Sequence, residues 1–365
     1  MKKTWLFTIL LCSYLISGAQ EMKTENIFLI TLDGLRWQEV FTGADPELIA
    51  NKDFVEDGIR LKKMFWRASG EARRKALLPF FWSTVAGQGQ LYGNRQEDSY
   101  VNVTNPHWFS YPGYNEILTG HADKRINSND KIPNPNRTVL DFISEQPGMK
   151  GKVAAFGSWD VFPYILNAER SDYPVNAGFD TASISPLTGR EQLLNELLHE
   201  IPPLWSSVRY DAFTHHYAME YLKKRHPQIL YVAYGETDDF AHHGRYDSYL
   251  QSAHQTDKFI KELWDFAQSD PRYKGKTTFI ITTDHGRGTA LPGAWRSHGA
   301  SVKGADEIWI AIIGPDTPSG KITSVKGNYY QNQVAETTAA FLGLDFKTSH
   351  ETGPMIKNAF KKQDQ

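Results

Sequence analysis

Five short apolar runs punctuate the chain: NIFLITLDG (26–34), KVAAFGSW (152–159), QILYVAYGE (228–236), TTFIITTDHG (277–286) and EIWIAIIGP (307–315). They are nearly continuous in apolar residues rather than alternating, which is the pattern of strands covered on both faces, as in parallel sheets. Between them, residues 138–146, 189–201, 211–225 and 248–268 read as helices. In the last of these, Leu250, Ala253, Phe259, Ile260, Leu263 and Ala267 fall near a 3.6-residue period. Strands alternating with helices predict an α/β fold, a single domain with a central, largely parallel sheet flanked by helices. Residues 60–100, with EARRKALLPFFWS, and 121–138, with NSNDKIPNPNRT, read as loop insertions around that domain, of the kind that shape a substrate site.

Several of these runs end in polar residues. Asp33-Gly34 closes the first, Asp238 follows the third with His242 four residues later, and Asp284-His285 closes the fourth; His298 comes thirteen residues after His285. An Asp-Gly pair after a strand is an ordinary turn, and a lone Asp or His there is ordinarily a cap. Repetition in one chain points instead to ligands gathered at the carboxyl ends of a central sheet, where open α/β folds place their sites. The i, i+4 spacing of Asp238 and His242 allows both to face one way, and neighbouring Asp284 and His285 can point to opposite sides of a crevice. Two cations could share such a cluster, and mixed nitrogen and oxygen donors with open positions suit zinc rather than calcium. Ser110, in FSYPGYNEILTG (109–120), precedes a Tyr111-Pro112-Gly113 turn and a stretch able to open a helix, so its hydroxyl could meet an anion at a helix N-terminus. No G-x-S-x-G elbow surrounds it. Activation as a nucleophile would therefore come from a metal.

Composition narrows the chemistry further. The sole cysteine of the 365 residues is Cys12, inside the run WLFTILLCSYLIS that follows Met1-Lys2-Lys3 and precedes small residues ending at Ala19. Residues 1–19 thus read as a secretion signal, giving a secreted or periplasmic protein whose mature chain, 20–365, has neither disulfide nor thiolate ligand. Leu11 stands where a lipid-attachment signal would want a small residue. No later segment approaches the roughly 18 apolar residues of a membrane span. Losing Lys2 and Lys3 from 40 basic side chains leaves 38 against 42 acidic ones, a formal charge of −4 that disfavours nucleic-acid binding. Aromatic residues make up 13% of the chain, with clusters such as PFFWS and HWFSYPGY that hint at a stacking cleft while most fill the core.

The ordered set LDG (Asp33), SYPGYNEILTG (Ser110), TDDFAHH (Asp238, His242), TDHG (Asp284, His285) and SHG (His298) resembles the alkaline phosphatase superfamily, more closely its nucleotide pyrophosphatase/phosphodiesterase branch, over roughly residues 26–315. The resemblance implies an alkaline phosphatase-like fold and two zinc ions, other divalent metals being possible. Asp238, His242 and His298 would hold one; Asp33, Asp284 and His285 would hold the other, with Ser110 coordinated to it as nucleophile. Asn129 in RINSN is the match to a phosphoryl-binding Asn, with Asn127 as rival. This chain has Ser110 where the branch more often has Thr, and Pro-Gly-Tyr where it usually has Pro-Asn-His, which leaves branch and substrate open. The implied activity is hydrolysis of a small phosphate or phosphonate ester through a phosphoseryl intermediate.

Within the superfamily, sulfatase maturation requires Cys or Ser followed by x-Pro-x-Arg, and Tyr114 occupies the Arg position. A phosphoglycerate mutase would need a large inserted domain. FGSWDVFPYI (156–165) carries no Lys or Arg to neutralise a phosphomonoester dianion, which favours a phosphodiester or phosphonate monoester, unless Arg125, Arg287 or Arg296 reaches in. A secreted glycan-binding protein with a vestigial site is the non-enzymatic alternative; the complete ligand set speaks against it.

Overall fold

The computed structural model describes residues 22–290 and 292–362, so the expected signal at 1–19 lies outside the described residues. Ten strands lie among the described residues: β1 (Asn26–Leu32), β2 (Gln90–Tyr92), β3 (Ser99–Asn102), β4 (Val153–Gly157), β5 (Val175–Ala177), β6 (Ile229–Tyr234), β7 (Thr277–Thr282), β8 (Glu307–Ile308), β9 (Ile310–Ile313) and β10 (Gly327–Tyr330). Seven form the main sheet in the order β2-β9-β7-β1-β6-β4-β5; β10, β3 and β8 form a small second sheet. The contiguous set β7-β1-β6-β4-β5 is parallel throughout. The protein is thus a single α/β domain with a largely parallel central sheet flanked by helices.

Strand β1 shows why an unbroken apolar run is needed. Phe28, Ile30 and Leu32 enter one buried cluster, and Ile27 and Leu29 enter the other, on the opposite face of the pleat. All seven residues of the strand are buried. Helices Gly189–Glu200, Asp211–Arg225 and Tyr246–Ser269 match the periodic segments, and the last packs its apolar stripe of Leu250, Ala253, Phe259, Ile260 and Leu263 into the first cluster.

Two expectations need correction. The run 307–315 splits into β8 and β9, and β9 pairs with β7 antiparallel. Its Ile310–Ile313 core is wholly buried, so its apolarity reports coverage on both faces and carries no information on strand direction. Residues 60–100 are not mere loops: they contain most of helix Gly58–Phe65, helix Gly70–Leu77 and the edge strand β2, whose short lengths left too few turns for a clear period. Residues 121–138 carry no helix or strand and are tied down by Asn115, whose Oδ1 accepts from Asn134 and Asn136 at 3.1 Å each.

The helix Ser110–Thr119 begins at Ser110 itself, with Pro112 and Gly113 inside its first turn rather than in a preceding turn. Pro tolerates that place because the first-turn N–H groups have no intrahelical acceptor. All ten residues are buried. The helix approaches the end of β7 so closely that a Cβ at Gly113 would lie 2.3 Å from the Asp284 carbonyl oxygen. Helix propensity alone would make Gly113→Ala stabilising. Here the clash dominates: the substitution is expected to lower the unfolding free energy by about 1–3 kcal/mol in urea denaturation. A stabilised variant would show that the helix can move away from the strand.

Candidate metal centre

The three central strands β7, β1 and β6 end side by side, and each hands the chain to an acidic residue. Asp33 follows β1 and donates its N–H to the Tyr234 carbonyl of β6 at 2.9 Å. After β6 the chain turns into helix Glu236–His242, which carries Asp238 in its first turn and His242 at its end. Asp284 and His285 follow β7 and are fully buried. His298 lies just beyond the turn Ala294–Arg296.

These residues converge on one imidazole nitrogen. His285 Nε2 lies 3.3 Å from Asp33 Oδ1, 3.4 Å from Asp284 Oδ2, 3.7 Å from Asp238 Oδ1 and 3.3 Å from Ser110 Oγ. His285 Nδ1 lies 2.9 Å from the Gly286 carbonyl oxygen and donates its proton there, which fixes the ring with Nε2 facing the carboxylates. Two groups of donor atoms each fall within 4.8 Å of one another: Asp33, Asp284 and His285; and Asp238, His285 and His298. His242 joins the second group, its Nε2 being 2.9 Å from His298 Nε2 and 3.1 Å from Asp238 Oδ2. The structure therefore brings all six expected metal ligands and Ser110 together, with His285 at the junction of both groups rather than confined to one.

The electrostatics are unbalanced as they stand. Burial, followed by the charge of Asp238, pushes the Asp33 carboxyl well above the usual carboxylate range. Burial and then Asp33 do the same to Asp284. For Asp238, burial is outweighed by Arg287 and His242, which hold its carboxyl well below that range. Burial and the neighbouring His285 push the His298 imidazole down to about 2, so it is a neutral donor. Asp33 Oδ1, Asp284 Oδ2 and His298 Nδ1 are buried with no hydrogen-bond partner among the described residues. Buried oxygens without donors are costly, and a cation among them would remove the cost.

Other contacts fix the ligands in place. Tyr114 donates its hydroxyl to Asp33 Oδ2 at 2.9 Å, Gly34 its N–H to Asp284 Oδ1 at 3.0 Å, and Thr237 its hydroxyl to the Asp33 carbonyl. Gly34 has φ +58°, and a Cβ there would stand 2.9 Å from both Arg287 Nη1 and Asp238 Oδ1, so glycine is required on both counts. Gln331 Nε2 donates to the Asp284 carbonyl at 2.6 Å. The guanidinium of Arg287 is buried, pairs with Asp238, and is held by the carbonyls of Trp295 at 2.8 Å and Arg296 at 3.0 Å. Sequence reasoning missed Tyr114 and Gln331 as supports: Tyr114 stood out only by not being Arg, and Gln331 has no local signal. Gly34 was visible as half of Asp33-Gly34.

At the helix N-terminus, Asn129 accepts the Tyr111 N–H on its Oδ1 at 3.0 Å, leaving its amide nitrogen as a free donor beside Ser110. Asn127 is exposed on the same loop. Arg125 is turned away, forked onto Asp123. Arg287 is committed to Asp238, and Arg296 reaches only the His242 carbonyl at 3.3 Å. Lys131, from the 121–138 loop, reaches Asp160 just beyond β4 at 2.7 Å.

No family model matches the chain, and none of the curated proteins does. Solved structures do. Wild-type alkaline phosphatase PafA superposes with a TM-score of 0.59 at 10% identity, covering 93% of this chain and 99% of that one. A 2-O GAG sulfatase gives 0.59 at 12% identity over 93% and 76% of the two chains. A protein in the alkaline phosphatase superfamily from Vibrio parahaemolyticus gives 0.52 at 14% identity over 90% and 68%. The fold is therefore alkaline phosphatase-like, and these structural neighbours are hydrolases or members of that superfamily.

If the cluster holds a cation, the contacts behind its ligands govern affinity. Tyr114→Phe removes a single hydroxyl from Asp33 and should weaken zinc binding by about 10–100-fold, read by competition with a chromogenic chelator. Unchanged affinity would mean that Asp33 is oriented without Tyr114.

Proposed function

We propose that this chain belongs to the alkaline phosphatase superfamily and is a metal-dependent hydrolase of phosphate esters, taking a phosphodiester or phosphonate monoester in preference to a phosphomonoester, in a secreted or periplasmic setting. The observation that carries the reading is the placement of Ser110 Oγ 3.3 Å from His285 Nε2, at a helix N-terminus, beside buried carboxylate oxygens that lack donors. The residues fit a metal centre: the donors are oxygen and nitrogen only, and the unpartnered oxygens Asp33 Oδ1 and Asp284 Oδ2 belong to this cluster. Asp33, Asp284 and His285 would hold one divalent ion and Asp238, His242 and His298 a second, zinc by the mixed donor set, and the ions would supply charge stabilisation at the phosphoryl group and acidify the Ser110 hydroxyl.

The chain's own groups do the rest. The helix that starts at Ser110 directs its N-terminal dipole at the phosphoryl group. Tyr111 N–H is taken by Asn129 and Pro112 has none, so the Ser110 N–H and the Asn129 amide are the donors left for the equatorial oxygens, where transition-state charge gathers. Ser110 Oγ attacks phosphorus, the bond to the leaving alcohol breaks, and water then hydrolyses the phosphoseryl ester to regenerate the hydroxyl. Arg287 neutralises Asp238 from behind, which keeps that carboxylate charged and oriented. The lysine brought to the end of β4 is matched by Asp160, which leaves little uncompensated positive charge for a dianion and supports a monoanionic substrate.

A sulfatase reading is supported by the 2-O GAG sulfatase, whose TM-score equals that of PafA. Against it, the place of the maturation Arg is held by Tyr114, and its hydroxyl is engaged by Asp33.

Ser110→Ala should retain folding and most of the bound zinc, because a single hydroxyl contributes little to stability, while hydrolysis of bis-p-nitrophenyl phosphate falls by about 10³-fold or more as the covalent route is lost. Asp33→Ala should lose zinc and activity together. The assay pairs turnover on the diester, phenylphosphonate and sulfate esters with elemental analysis of the same samples. Near-full activity of Ser110→Ala would end the nucleophile assignment, and preference for the sulfate ester would favour the second reading.

A further inference from the structure

At the far end of the Ser110–Thr119 helix, about 15 Å from Ser110 by the 1.5 Å rise per residue, a cavity opens with a volume of about 450 Å³. Arg125, Arg137, Lys347, His121 and His350 line it, and none of its lining residues is acidic. That is a departure for a chain whose acidic residues outnumber its basic ones.

Each cation is anchored from outside the cavity. Arg125 places Nε and Nη2 on Asp123, at 3.0 and 2.6 Å, and Nη2 also reaches Asn136 Oδ1 at 3.2 Å; Nη1 is left uncommitted. Asp123 is itself buried and fixed by Asn136 Nδ2 at 2.9 Å. Arg137 pairs through Nη2 with Glu145 and lies 5.2 Å over the Phe142 ring. Lys347 pairs with Asp345 at 2.7 Å. The imidazoles of His121 and His350 stack 4.6 Å apart at an interplanar angle of 7°, joining the helix end to the 347–353 loop. The same loop is tied back by the Gly353 N–H to the Gly120 carbonyl at 2.9 Å.

The Arg125 guanidinium, oriented by the buried Asp123 carboxylate with one edge free, and Arg137 beside it are suited to oxyanions, which accept paired N–H donors. The cavity lies beyond a fully buried helix from the metal centre, so its occupant is not the group undergoing hydrolysis. We propose that this cavity is a second oxyanion site, taking a phosphate or sulfate group through Arg125, Arg137 and Lys347, with His121 and His350 as its wall. The group is carried either by the free inorganic ion or by an anionic oligosaccharide. This site does not depend on the reading of the metal centre.

The test uses the full mature chain and the double variant Arg137→Ala/Lys347→Ala, which leaves Asp123 and Arg125 paired. Binding of inorganic phosphate, inorganic sulfate and a sulfated hexasaccharide is measured by titration calorimetry at low salt, alongside hydrolysis of bis-p-nitrophenyl phosphate. The expected result is binding weakened at least about tenfold in the variant, with turnover unchanged. Loss confined to the inorganic ions would identify the free ion as ligand, and a larger loss for the hexasaccharide would identify the polymer. Equal binding of all three probes to both proteins, or no binding to the parent chain beyond the metal centre, would overturn the proposal.

Discussion

Three carboxylates, two of them buried, gathered around one buried imidazole nitrogen are the constraint on which the rest of this structure depends. Asp33, Asp238 and Asp284 each bring an oxygen within 3.7 Å of His285 Nε2, and Asp33, Asp284 and His285 are buried. Burial, and after it the neighbouring like charges, raises the proton affinity of Asp33 and Asp284, while Arg287 and His242 hold Asp238 charged against its own burial. Arg287 answers one of the three charges. The others have no fixed counter-ion there, and two of their oxygens have no donor. A cation is the simplest species that would satisfy this geometry.

The surrounding architecture serves that cluster. Parallel strands bring their carboxyl ends into one row, so side chains distant in sequence meet without long connections. Gly113 lets the helix that begins at Ser110 lie against the Asp284 carbonyl, and Gly34 leaves space for Arg287 to reach Asp238. Tyr114 works from inside that helix, so one element both presents Ser110 and holds Asp33. The same helix joins the candidate metal centre to the basic cavity at its other end.

Much of this was legible in the residues. Strands buried on both faces must be continuously apolar, which made β1, β4, β6 and β7 visible, and an acidic residue closing such a run breaks the pattern at the functional position. What could not be read depended on tertiary partners. The reversal of β9 leaves no mark on a strand covered on both faces. The edge strand β2 and the strands of the second sheet are two to four residues long, too short for periodicity to register. Among the site residues, Asp33, Asp284 and His285 stood directly after strands, where the pattern exposed them. Gln331 and Lys131 act from loops and helix starts by contacts that arise only when the chain closes, and the role of Arg287, adjacent to the motif, changed once its guanidinium was seen on Asp238.

The claim that this cluster is a metal centre is tested most directly by elemental analysis of the protein purified without chelators, with Asp284→Asn prepared in parallel. The account predicts about two divalent ions per parent chain, chiefly zinc, and a marked loss of metal from the variant. A parent chain that binds no divalent ion when dialysed against zinc, yet hydrolyses its ester at full rate, would contradict it.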